Sequence, residues 1–332
     1  MFGDAEAVSH LLERGLFPAT AGHSARVRVG RLPGRNFLYR IEFDGGAPLL
    51  LKRAVDAETR RGLEREAAAY DALAGSPGPG PSFVPRKLDY DSGSSTLVLE
   101  FFPQHRSLDA EQGGGVELDA GLAGELGRIL ARLHRLAPPA GDSTPPWIVT
   151  LVHPPLGILR EATQGHLDLI RHVQRSTTWS EALNKLAGEW EPRAFVHGDL
   201  RFSNILSPDP RHDGSALALI DWELSGPGDP AWDIGWVIAG ILANRAHDLS
   251  AAFPLVRACW VGYTEGAGDT STRVLLERTI RWSAAAALQL AHEEARMPRP
   301  DDTLAAMLIE VGRSLLERTA VWIERVFWED PG

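Results

Sequence analysis

The first hundred residues alternate between two periods of apolar spacing. Residues 4–15 read as a short helix, stopped by Gly15 and Pro18. Residues 25–29, 37–43 and 48–52 read as strands. The middle one alternates cleanly, with Phe37, Tyr39, Ile41 and Phe43 on one face. Gly45-Gly46 supplies the turn between the last two. A helix is predicted over 58–74, a loop over the Gly/Pro run 75–81, and another strand over 96–101. After Pro103 the texture changes. Helical patterns cover 116–136, 156–175, 180–190, 230–244, 270–295 and 303–326, with short strands around 194–196 and 216–220. The pattern predicts an α+β fold of two lobes: 1–102, a small antiparallel sheet with one long helix, and 103–332, mainly helical.

Composition narrows the function classes. The chain has 332 residues, 44% hydrophobic and 23% charged, as expected of a globular protein. No run approaches the ~18 apolar residues of a membrane span. The start, Met1-Phe2-Gly3-Asp4-Ala5-Glu6, lacks the apolar core of a signal peptide, so a cytoplasmic location is expected. The single cysteine, Cys259, leaves no partner for a disulfide or a thiolate zinc cluster and is expected in the core. With 34 basic and 44 acidic residues, the net charge is −10. That balance argues against a nucleic-acid partner, gives no basic membrane-binding helix, and suits a cationic substrate.

Two segments carry the chemistry. His197-Gly198-Asp199-Leu200-Arg201-Phe202-Ser203-Asn204 is followed by Ile220-Asp221-Trp222-Glu223. Singly, these are turn residues; as an ordered set, each behind a strand, they form a motif. Upstream, Lys52 ends the apolar strand Pro48-Leu49-Leu50-Leu51. Two carboxylates follow it, Glu64 and Glu66. Leu63, Glu66, Ala67, Tyr70 and Leu73 share a helical stripe, whereas Glu64 shares its face with Ala68 and Asp71. A carboxylate on a buried face needs a cation, so Glu66 is the expected partner of Lys52. Asp229 with Pro230 reads as a helix cap, with Asp233 one turn inside. Gly30 to Asn36 forms a loop whose two glycines, Gly30 and Gly34, allow backbone N–H groups to approach an anion.

These segments resemble the aminoglycoside phosphotransferase and choline kinase superfamily, relatives of the protein kinases, over about residues 25–239. The resemblance implies a protein-kinase-like fold and a kinase using ATP, or another nucleoside triphosphate, with Mg²⁺. By that resemblance Asp199 takes the acceptor hydroxyl's proton, and Asn204 and Asp221 hold the metal. Lys52, steadied by Glu66, binds phosphates, and Gly34 and Asn36 lie in the phosphate loop. The backbone of Glu100 to Phe102 meets the purine. His197 orders the loop and Asp233 holds its backbone. Arg201 either neutralises the transferred group or is a surface Arg paired with an Asp or Glu. The acceptor is expected to be a hydroxyl on a small polar, cationic molecule. The Gly34-Arg35-Asn36 loop, Asp199-Leu200-Arg201, Asp221-Trp222-Glu223 and Gly228-Asp229-Pro230 also look like kinases of ribosomal-peptide biosynthesis, which act on Ser and Thr of a precursor peptide. A nucleotide-binding pseudokinase is the non-enzyme alternative, against which the intact Lys52, Asp199, Asn204 and Asp221 argue.

Overall fold

A computed structural model describes residues 2–17, 26–75, 82–109, 116–209, 217–268, 273–294 and 302–328. The predicted loop at 75–81 lies, beyond Gly75, outside the described residues, as do Ala25, Ala216, Thr270 and Ala295. By internal contacts the chain forms two compact units. The first is Met1–Val116 with Ser203–Ser225; the second is Glu117–Phe202 with Gly226–Gly332.

The first unit is built on a five-stranded antiparallel sheet of β1 (Val27–Leu32), β2 (Phe37–Phe43), β3 (Leu49–Arg53), β4 (Lys87–Asp91) and β5 (Thr96–Glu100), ordered β1-β2-β3-β5-β4. The alternation of β2 buries Tyr39, Ile41 and Phe43 against Leu49, Leu51 and Val98, and against Ala7 and Leu11 of α1 (Asp4–Glu13). α2 (Ala57–Ala74) is capped by Asp56, which accepts from the N–H groups of Glu58 and Thr59, and it buries Leu63, Glu66, Ala67, Tyr70 and Leu73. β4 has no predicted counterpart. It is an edge strand, half-buried at every position, so it has no alternation to read. β6 (His105–Ser107) pairs with β8 (Ile205–Pro208), which pairs with β9 (Ala218–Leu219). Residues 203–225 thereby join the first unit.

The second unit is helical. It contains α3 (Ala120–Leu133), α4 (Leu156–Glu161), α5 (Gln164–Arg175), α6 (Thr177–Gly188), α7 (Pro230–Asn244), α8 (Phe253–Ala267), α9 (Arg273–Glu294), α10 (Asp302–Glu317) and α11 (Thr319–Ile323), with the short antiparallel pair β7 (Ala194–Val196) and β10 (Gly226–Gly228). The single helix expected over 156–175 is two. Ala162 is extended and Thr163 caps α5, accepting from the His166 N–H at 3.3 Å. The pattern over 303–326 likewise breaks after Glu317. No prediction named α8, whose glycines blur its stripe. One of them, Gly262, and Gly127 of α3 let the two helices lie together: a Cβ at either would overlap the backbone of the other helix. Cys259 is buried there, and burial pushes its thiol up to about 12. α7 is buried almost throughout and packs on α9, with Trp232 and Trp236 edge-on to each other and Trp232 edge-on to Trp282. Among the described residues, no helix is long and apolar enough to cross a membrane.

Candidate active site

In the first unit, Lys52 stands between two carboxylates. Its Nζ lies 2.9 Å and 3.0 Å from the oxygens of Glu66 and 2.7 Å from Asp221 Oδ1. Of the two candidates on α2, Glu64 and Glu66, Glu66 is the one that meets Lys52, and it is fully buried; the Tyr70 hydroxyl also donates to it, at 3.3 Å. Burial pushes the Glu66 carboxyl up to about 7, against the pull of Lys52. Burial also disfavours the Lys52 ammonium, but Asp221 and Glu66 outweigh it and hold Lys52 above its ordinary value. Lys52 therefore stays charged.

The β8–β9 pair explains why Asn204 and Asp221 are neighbours. Asn204 directly precedes β8, Asp221 follows β9, and the Ile220 N–H donates to the Asn204 carbonyl at 3.0 Å. Asn204 is buried, while the Asp221 side chain keeps 36% of its surface exposed. Asp221 sits in the left-handed region, at φ 67°, which is uncommon for a residue other than glycine and turns up where a side chain must be aimed. An amide oxygen and a carboxylate are hard donors that suit Mg²⁺, which takes a few protein oxygens and completes its shell with phosphate and water. No three His, Cys, Asp or Glu side chains cluster as metal ligands among the described residues.

Gly34 and Asn36 lie in the loop between β1 and β2, and Asn36 Oδ1 is buried without a hydrogen-bond donor among the described residues. At the end of β5, the Glu100 N–H donates to the Arg86 carbonyl at 2.9 Å, the Phe101 N–H donates to the Pro48 carbonyl at 3.1 Å, and the Phe102 ring tilts against His105.

In the second unit, the loop after β7 is held by α7. Asp233, fully buried, accepts from the N–H of His197 at 2.7 Å and of Gly198 at 2.9 Å, and its Oδ2 lies 3.2 Å from His134 Nε2. The Trp232 indole donates to the Gly198 carbonyl at 3.0 Å. Gly198 itself has φ 85°, a turn that glycine makes without strain. The Asp199 N–H donates to His197 Nδ1 at 3.3 Å, so His197 braces the loop. Asp229 caps α7 through the Ala231 N–H and pairs with Arg278. Burial is the main cause that holds its carboxyl above the usual range.

Arg201, its side chain about a third exposed, pairs with two acids. Its Nε reaches both Asp199 oxygens, at 3.0 and 3.1 Å, and its Nη2 bridges Asp199 Oδ1 (2.9 Å) and Glu293 Oε1 (3.0 Å). Glu293, near the end of α9, had no sequence signal: a glutamate in a last helical turn is ordinary. His134, in the last turn of the helix expected over 116–136, escaped for the same reason, and Tyr70 read only as a member of the apolar stripe of α2.

The phosphotransferase enzyme family matches residues 32–258. The chain is 29% identical over 214 residues to the streptomycin 6-kinase of Streptomyces griseus, a match spanning 60% of this chain and 64% of that protein. It has the fold of a choline/ethanolamine kinase family protein from Mesorhizobium loti, with a TM-score of 0.59 at 18% identity over 96% of this chain and 97% of the other. A macrolide 2'-phosphotransferase from Brachybacterium faecium aligns with a TM-score of 0.53 at 17% identity, covering 94% and 98%.

Proposed function

Since the chain belongs to the phosphotransferase enzyme family and is a kinase, we propose that it moves the γ-phosphate of ATP, or another nucleoside triphosphate, onto a hydroxyl of a small polar, cationic molecule. The observation that carries this reading is Lys52, held charged between a buried Glu66 and Asp221. Such an ammonium is suited to grip phosphates, with Glu66 keeping it aimed. Gly34 and Asn36 would cover the phosphates, and the backbone of Glu100 and Phe102 would meet the base. Asn204 and Asp221 would hold Mg²⁺, which supplies neutralisation of phosphate charge. Asp199 would orient the acceptor hydroxyl and take its proton. Arg201, already touching Asp199, would turn toward the transferred group as its charge develops. Rate then comes mainly from positioning and electrostatics.

The acceptor assignment rests on the net charge of −10 and on relatives named for small-molecule substrates. An enzyme that used ATP on such metabolites would be expected in the cytoplasm. The direct test is a screen of aminoglycosides, amino alcohols and Ser/Thr-rich peptides with γ-labelled ATP. Label on a cationic small molecule supports the reading. Label on peptide alone would replace the acceptor with a precursor peptide, and label only on nucleic acid or lipid would overturn both. For the metal, Asp221→Ala should weaken calorimetric Mg-nucleotide binding and turnover together, by at least about tenfold; unchanged values would remove Asp221 as a ligand.

A further inference from the structure

The loop that joins β1 to β2 is fastened to the segment that follows Asp221. Arg35 Nη2 lies 2.5 Å from Glu223 Oε1, and its Nη1 lies 3.5 Å from Glu58 Oε1. The second contact joins two exposed side chains at the limit of hydrogen bonding, and pairs of that kind contribute little. The first differs, because the Glu223 side chain is only 12% exposed. Its seat is built by α2 and by its own turn. The Trp222 indole is buried and donates to the Leu219 carbonyl at 3.0 Å. Arg65 Nη1 donates to the Glu223 carbonyl at 3.3 Å. Gly62 leaves room on α2 for the carboxylate: a Cβ there would stand 3.1 Å from Glu223 Oε2. Glu223 is thus the fixed partner, and Arg35, with 65% of its side chain exposed, is the movable one.

The geometry points to a latch, and we infer that Glu223 is a positioning residue which, acting through Arg35, holds the β1–β2 loop down over nucleotide phosphates and slows nucleotide release. The inference rests on the nucleotide reading of this same site. Arg35 stands between Gly34 and Asn36 in the loop, and Glu223 stands two residues after Asp221, so one ion pair ties the loop to the metal-side segment. A charge-assisted contact with one partner withdrawn from water is stronger than a surface pair, while the exposed guanidinium can still open and close. Such a restraint acts on dissociation more than on encounter.

The test is stopped-flow release of Mg-bound mant-ADP from the full chain. Glu223→Gln and Arg35→Gln should each speed release by about three- to tenfold, and the double variant should release no faster than the more affected single one. Gly62→Leu fills the seat while leaving both charges in place. It should also speed release, with a thermal midpoint held or raised, because leucine favours a helix where glycine does not. Normal release from Glu223→Gln, or effects of the two substitutions that multiply in the double variant, would overturn the latch. If the unsubstituted chain fails to bind mant-ADP, the nucleotide reading falls and the latch with it; binding with unaltered release in all variants removes the latch alone.

Discussion

Glu66 and Asp233 are both fully buried carboxylates, yet they are satisfied in different ways. Glu66 is balanced by the ammonium of Lys52, a group at the end of a flexible stem that also reaches Asp221. Asp233 is met by two backbone N–H groups, those of His197 and Gly198, with His134 alongside. An ammonium can exchange one anionic partner for another; backbone donors on a packed loop cannot. On the proposed function, the Lys52 side would redistribute charge when phosphates arrive, while the loop after β7 would stay in one conformation. Asp199 and Asp221 follow the same contrast. Asp199 is clasped by Arg201 on both oxygens, while Asp221 is part-exposed and shares one oxygen with Lys52.

Four substitutions and one change of conditions would break or sharpen this contrast. The largest effect is expected at Asp199→Asn, which keeps size but cannot take a proton. Turnover should fall by about 10²–10⁴ while ATP affinity stays within a few-fold; near-normal turnover would remove Asp199 as the base. Next comes Glu66→Ala. Stripping one partner from a buried ion pair costs up to about 3–5 kcal/mol, and less here because Asp221 remains to Lys52. Glu64→Ala, on the exposed face, should stay within about 0.5 kcal/mol, so equal denaturant midpoints for the two would refute the asymmetry. Asp233→Asn puts an amide against loop N–H groups and should cost about 1–3 kcal/mol. Its kinetic effect should fall on kcat, with nucleotide affinity unchanged; a loss of nucleotide affinity would mean that the loop is not a separate, rigid element. The smallest effect is salt. For a cationic acceptor, kcat/KM should fall as ionic strength shortens the Debye length toward about 8 Å, whereas a neutral or acidic peptide would show a flat or reversed trend.

The pairing of Lys52 with Glu66 was legible because a charge that interrupts an apolar stripe has to be answered. Asp233 was legible through the family resemblance, because capping explains Asp229 well and Asp233 less well. The change of period near Pro103 pointed to two parts, whereas the compact units divide after Val116 and the first takes in Ser203–Ser225; the kinase-like fold was legible through the resemblance carried by the segments of Asp199, Asn204 and Asp221. What stayed hidden depends on tertiary placement. Glu293 meets Arg201 only because α9 passes the catalytic loop. β4 lies on a sheet edge where both faces are half-wet. The break between α4 and α5 is marked by Thr163 alone, a cap that also occurs inside ordinary loops.

Residues 203–225 are synthesised long after 1–116, yet they complete the same unit, with the Leu219 N–H bonded to the Phe83 carbonyl and the Leu108 N–H to the Ile205 carbonyl. This raises contact order and makes the last steps of assembly non-local. A nascent chain that stops before this hairpin would present β6 without its partner strand and Lys52 without Asp221. The first unit cannot then close as an early, independent folding unit on the ribosome. Its final packing waits for the turn at Trp222, so nucleotide-binding competence should emerge late in synthesis, after the helices α3 to α6 have been made.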